Sequence, residues 1–476
     1  MADYTYRIEG FAGLDQSRDE NLLSPAYSPD AMNVDTENGD LAVTKGFSKL
    51  IPLPVPREST SGIDRVCFFR SASGDIPMAI SGGYIYTYSE AGGWTRAYEY
   101  SLVPEKRHYS VLMTRIGMTD TMLIADGVNR IVKFDGSQFS DFGSREGCSD
   151  IPVGFIAMYR GRLFAAGSYE DPNRLYYSKL PGGSRTIEDW GSDPDSPQVE
   201  GGHIEIGTTS GDPITAVCAM SNQLLIFKRS SVYRLIGDRP GNFTVELIEK
   251  DSAPVTDTAT AVCHDVIYYV TRGGLHSFSG VDVSPLPDSR RIKRIMQDAD
   301  VSDTRMAAVG SRLYFTIRKD GASRLIEYDP ETRRYMQYGG FGLYDICAHD
   351  GSLIITNSAR YLEKWGEGSD FDGQPIRAYW RTPTTDLGEK SVVKTLGGLY
   401  LRGASIEDAP LLVKVRAGGV EREYRSLLPC SETGVLEIPL KDEGRTFGLT
   451  FENENGGRFC IVGGVEMSMS VRKRTV

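Results

Sequence analysis

The chain has little histidine, no paired cysteines, no long apolar run and no surplus of positive charge, and each shortage removes a class of function. Its five histidines, His108, His203, His264, His276 and His349, sit at unrelated places, so spacing assembles neither a metal triad nor a Ser-His-Asp set. Seven cysteines, Cys67, Cys148, Cys218, Cys263, Cys347, Cys430 and Cys460, stand singly with no CxxC pair; reduced thiols are the default, and a disulfide framework is not expected. No stretch of 18 apolar residues occurs, and the opening MADYTYRIEGFAGLD is acidic rather than apolar. Neither a membrane span nor a signal peptide is predicted, which places synthesis in a cytoplasm. Against 64 acidic residues stand 53 basic ones, a formal net charge of -11, whereas a static grip on phosphates calls for a basic surplus. Long helical periodicity is missing too. The best short candidate is SRRIKRIMQ, Ser289 to Gln297, with Ile292, Ile295 and Met296 on one face and solvated basic residues around them.

What the chain does have is a repeat. An apolar run, a tight turn and a second apolar run recur as MAISGGYIYTYS from Met78, MLIADGVNRIVKFD from Met122, RLFAAGSYEDPNRLYYSK from Arg162, QLLIFKRSSVYRLIG from Gln223, VIYYVTRGGLHSFSG from Val266, RLYFTIRKDGASRLIEYD from Arg312 and SLIITNSARYLEKWG from Ser352. The starts lie 44, 40, 61, 43, 46 and 40 residues apart. β-Branched and aromatic residues flanking a Gly, Asn, Asp or Ser turn are the composition of a β-hairpin, and this period leaves room for about four short strands, one β-propeller blade. In four copies a small residue precedes a hairpin leucine by six positions: Ala157 before Leu163, Cys218 before Leu224, Ala307 before Leu313 and Cys347 before Leu353. Small side chains suit inner strands crowded around an axis. DRVCFF, TAVCAM, TAVCHD and YDICAH put Cys67, Cys218, Cys263 and Cys347 in one strand context, as packing residues.

The fold class predicted is all-β: a β-propeller of about seven blades with an N-terminal arm and a C-terminal antiparallel β-sandwich domain. Residues 1–60 lie outside the repeat and read as an extended arm and linker; SPDAMNVDTENGDLAVTKGFSKL, from Ser28, is strand, Asn38-Gly39 turn, strand, and the proline-rich IPLPVPREST follows. The arm's Phe11, Leu14, Leu22 and Leu23 have no repeat partner, which marks them as assembly contacts. Residues 61–372 hold the propeller. Its long third interval falls in Asp189 to Asp212, read as a loop with one extra strand, His203 to Gly207, projecting from a face where binding loops are carried. Residues 373–476 alternate in GGLYLRG, LLVKVRAGG, GVLEIPL, RTFGLTFEN and RFCIVGGVEMSMSV without the blade offset, predicting six to eight strands of a separate sandwich.

No catalytic, cofactor or metal residues are assigned. Propeller glycosidases need two carboxylates, often with an arginine cluster, at an axial pocket. Asp126, Asp135, Asp265 and Asp329 instead sit at turns, where aspartate bonds nearby amides, and Asp boxes of the Ser-x-Asp-x-Gly-x-Thr-Trp type are absent. The stretch Asn33 to Asp40 superficially matches a calcium loop, but its glycine is one position late for an EF-hand and its flanks are strand-like, so it reads as a hairpin turn.

The arm GFAGLDQSRDENLLSPAYSPDAMNVDTENGDLAVTKGFSKL resembles the opening of tail-hub and nozzle proteins of short-tailed bacteriophages, the group of tail tubular and phage stabilisation proteins. It shares their GLD start, their DAMNV segment and a later Gly-aromatic pair, here Gly46-Phe47. GRLFAAGSYEDPNRLYYSKLPGGSRTIEDW, Gly161 to Trp190, and YWRTPTTDLGEKSVVKTLGGLYLRG, Tyr379 to Gly403, are similar to that group as well. The resemblance implies a non-enzymatic virion structural protein, a homo-oligomeric ring of six copies in the tail or neck. It would contact the portal, adaptor and other tail proteins and serve as conduit for genome ejection. The net-negative chain suits DNA that slides past without specific binding. The alternatives are a virion propeller adhesin that binds carbohydrate and receptors, and an axial-pocket glycoside hydrolase.

Overall fold

Each of the seven repeated hairpins supplies the second and third strands of a four-stranded antiparallel sheet. The structure, a computed structural model, describes residues 2–57, 62–72, 74–104, 108–143, 150–207, 211–281, 283–405, 407–430 and 434–471, and among these seven such sheets follow in chain order. Their first strands are Arg65–Phe69, Ser110–Ile116, Phe155–Tyr159, Ile214–Ala219, Thr260–Cys263, Met306–Val309 and Leu343–His349. From the second sheet to the seventh, the first strand of one sheet lies against that of the next, and the seventh lies against the first. The chain is therefore all-β and propeller-like in its architecture.

The six-residue offset has a simple origin. Met158 faces Leu163, Ala219 faces Leu224, Ala308 faces Leu313 and Ala348 faces Leu353 across the first two strands, so each small residue lies one step beyond a leucine's cross-strand partner. Arg160-Gly161 and Asp350-Gly351 make two of the turns between them with both φ positive, at 50° and 76° and at 45° and 67°, the two-residue geometry that matches strand twist. Ala157, Cys218 and Ala307 are buried and Cys347 is half-buried, all four in first strands where neighbouring sheets meet. Over the predicted helix, Pro287–Ile292 is a 3-10 turn and Lys293–Met296 one α turn, with Ile292, Ile295 and Met296 buried as expected.

Two boundaries differ from the sequence reading. The strand predicted to project near His203 is Gly202–Glu205, the outer strand of the third sheet, paired with Arg174–Tyr177; the insertion is the 178–201 segment that precedes it. The seventh sheet takes its fourth strand from far upstream, Phe47–Lys49 on Leu362–Trp365. Phe47 stacks on Phe371 at 5.1 Å between ring centroids, so burial of this ring closes the array.

Within the predicted arm and linker of residues 1–60, the described residues 2–49 are not an extended arm. Ala2–Ile8 pairs over its full length with Cys460–Val471, Leu41–Val43 also joins that strand, and Asp30–Met32 pairs with Tyr379–Arg381. The N-terminal strands thereby complete two sheets of seven and five strands, whose other members come from residues 379–471. Apolar side chains of both sheets, such as Leu399, Met467, Val413 and Phe451, share one buried cluster with the fifth to seventh sheets. These strands were unpredictable as partners because each is short and each pairing spans hundreds of residues.

Candidate functional site

All seven first strands begin at the same end of the array, where a girdle of polar side chains joins them. Asp345, fully buried at the start of the seventh sheet's first strand, accepts the Val66 N–H at 2.6 Å. Its other oxygen lies 3.7 Å from Arg65 Nη1 and 3.8 Å from Arg305 Nε. Arg305, itself buried, also reaches Asp303 at 3.1 Å. One carboxylate thus stands between two guanidiniums from the first and sixth sheets, and the pairing offsets the desolvation of each.

Across the axis, His108 bridges three sheets. Its Nδ1 lies 3.0 Å from Thr258 Oγ1 and its Nε2 3.1 Å from the Ser302 carbonyl. Burial, reinforced by Arg305, pushes its pKa down to about 4, so the ring is neutral, with its proton on Nε2 facing the carbonyl. Asp257 is held by the Ser110 hydroxyl and the Val217 backbone, and burial pushes its pKa up to about 6; Ser110 Oγ in turn accepts the Ile156 N–H at 3.2 Å. Each of the seven sheets contributes a group to this girdle. Around it Cys67 and Cys218 are pushed up to about 12 by burial, which leaves them inert packing thiols.

Beside the girdle opens a cavity of about 430 Å³ lined by Asp64, Asp300, Asp303, Arg305, Arg318 and Tyr344 among others. Its carboxylates are engaged as acceptors: Asp64 from the Gly82 N–H at 2.8 Å, and Asp300 from the Ser302 hydroxyl at 2.7 Å. The Ser302 bonds hold the Asp300 carboxyl below its ordinary range. Asp257, the girdle carboxyl pushed up by burial, is not part of this lining.

The expected assembly contacts separate into two kinds. Phe11 is buried edge-on against Trp380 at 5.4 Å, and Leu14 is fully buried with its N–H on the Tyr335 carbonyl at 3.0 Å; both serve the interior and cannot meet a neighbouring molecule. Leu22 is 66% exposed and Leu23 half-buried. The Asn33 to Asp40 turn is held by cations of the protein itself: Asp35 pairs with Arg334 at 3.3 Å and Glu37 with Arg312. Asn33 spans the joint between the two-sheet unit and the sixth sheet, donating to the Gly339 and Arg377 carbonyls at 2.9 and 2.8 Å and accepting the Gly339 N–H. Asp126, Asp135, Asp265 and Asp329 each accept nearby backbone amides at turns or sheet junctions.

Sequence reading missed the girdle and one further cluster. Asp75, His349 and Asp350 converge, with His349 stacked on Phe68 at 3.7 Å; 274 residues separate the first two, so no spacing could reveal it. The girdle did leave a signal, a charged or hydroxyl residue opening the cysteine strands in Asp64-Arg65-Val66-Cys67 and Asp345-Ile346-Cys347. Cys148 lies outside the described residues.

No protein-family model and no curated protein matches the chain. Among solved structures it is similar to PorZ, a bacterial surface component of the type-IX secretion system of Porphyromonas gingivalis, at 11% identity over 83% of this chain and 46% of that one, TM-score 0.38. The chain therefore spans about half the length of PorZ. It is also similar to the Neurospora crassa Pan2 WD40 domain, at 10% identity over 69% of this chain and 95% of that one, TM-score 0.41. A third similarity is to an exported protein from Bacteroides fragilis, at 13% identity over 52% and 83%, TM-score 0.31.

Proposed function

We propose that the chain is a non-enzymatic structural protein of a bacteriophage virion, a seven-bladed propeller joined to a β-sandwich. On this reading copies form a ring in the tail hub, nozzle or neck below the portal and adaptor, and the genome leaves through it. The observation that supports this best is the folding of the phage-like opening segment itself. Residues 2–49 supply strands to both C-terminal sheets and close the seventh four-stranded sheet, and Asn33, Asp35 and Glu37 fasten the joint. A segment that welds two units at both ends suits a part that must transmit load without hinging. The polar girdle fits the same reading, because charges that satisfy one another inside a single chain leave the passage for DNA to form between copies.

Immunogold labelling of purified particles with antibodies to this chain tests the proposal. Label at a single vertex or on the tail is the expected result. Particles that carry no trace of the chain by labelling and mass spectrometry would refute it.

A further inference from the structure

Although the chain is acidic overall, one groove on the girdle end is cationic. It has a volume of about 1040 Å³, a floor that includes Pro285, Leu286, Pro287 and Met296, and a rim of Arg272, Arg290 and Lys293. All three rim cations are exposed. Neither Arg290 nor Lys293 has a carboxylate within ion-pair distance among the described residues, unlike their neighbours Arg291, held by Asp15, and Arg294, held by Glu20. Unpaired cations above an apolar floor fit an acidic segment that also carries an apolar or aromatic side chain.

The chain displays such a segment at the same end. In the loop 167–173 Tyr169 is 94% exposed, and Glu170 beside it is exposed with no ion-pair partner among the described residues. The loop is rigid beneath them: Asp171 accepts from Arg174 at 2.6 Å and from the Tyr176 hydroxyl at 2.9 Å, and the Pro172 carbonyl accepts the Ile214 N–H at 2.9 Å. A large aromatic held in water on a braced loop is an interface anchor by composition. Loop and groove both lie where second strands end and first strands begin.

We propose that Tyr169 and Glu170 of one copy enter the Arg290–Lys293 groove of a second copy, and the reverse, in a face-to-face pair about a two-fold axis. Because donor loop and acceptor groove share an end, one such axis satisfies both at once, as an isologous contact requires. This contact differs from side-by-side packing in a ring and does not depend on the virion reading: a chain absent from particles would still pair.

Sedimentation velocity across a concentration series tests it on the full chain. The wild type should self-associate, and Arg290→Glu with Lys293→Glu, or Tyr169→Ser alone, should each weaken the dimer at least tenfold while leaving the thermal melt unchanged. Adding Glu170→Lys to the Arg290→Glu/Lys293→Glu chain should restore pairing. A wild type that stays monomeric at all concentrations, or variants that pair as well as the parent, would overturn the proposal. So would loss, in the groove variant alone, of salt-sensitive binding to a 30-base-pair duplex with association intact; the groove would then be a phosphate site.

Discussion

Removing the negative charge of Asp345 is the sharpest test of the girdle. The carboxylate is fully buried between Arg65 and Arg305 and accepts the Val66 amide. Breaking a buried pair by removing one partner costs about 3–5 kcal/mol, since the remaining charge is left desolvated. Asp345→Asn keeps an oxygen for the Val66 N–H, and Arg305 keeps Asp303 at 3.1 Å, so the loss belongs at the lower end, about 3 kcal/mol. Asp345→Ala also orphans the amide and should lose roughly 1–3 kcal/mol more. For a large unit this corresponds to a fall in melting temperature of roughly 5 °C for the asparagine variant. Scanning calorimetry at pH 7 reads it, and a cycle with Arg65→Met should recover part of the loss, because the methionine removes one of the two charges left facing each other. An asparagine variant that melts within a degree of the parent, with no coupling to Arg65, would show that the three charges are solvated and do not bind the sheets together.

Four further outcomes are expected. Ala307→Leu and Cys218→Leu should each overpack the contact between neighbouring first strands and lower stability by about 1–3 kcal/mol in urea titrations; an unchanged midpoint would mean these positions have room. Deleting residues 1–45 should strip both C-terminal sheets of strands and expose residues 373–476 to limited proteolysis, whereas a protease-resistant, normally melting truncation would contradict the strand pairing. At Asp257 the folded chain keeps a proton between about pH 4 and 6 that the unfolded chain has released, so its contribution to stability falls as pH rises through that window and stays lost above it. Asp257→Asn should therefore be more stable than the parent at pH 7, by an amount on the order of 1–3 kcal/mol, with the advantage gone at pH 4; a difference that does not change with pH would refute the assignment. In native thiol labelling, exposed Cys430 should react well before Cys67 and Cys218, and equal rates would show that the first strands open readily.

The all-β class and the hairpins were legible in the sequence because their causes are local: β-branched runs alternate with turn residues, and a strand needs only its neighbour to declare itself. The six-residue offset even located the crowded first strands, since the register of a tight hairpin is set by the hairpin alone. Everything that joins one repeat to another was decided by the tertiary structure. Phe47–Lys49 closing a sheet begun some 300 residues later, Ala2–Ile8 lying on Cys460–Val471, and the burial of Phe11 and Leu14 depend on which edges are left unpaired once the sheets have formed, and no window of sequence contains that. The girdle lies between the two cases. Arg65 and Asp345 are visible as charges opening cysteine strands, but their meaning comes from desolvation: only when the seven sheets converge does a charge that looked solvated become one that must find its opposite.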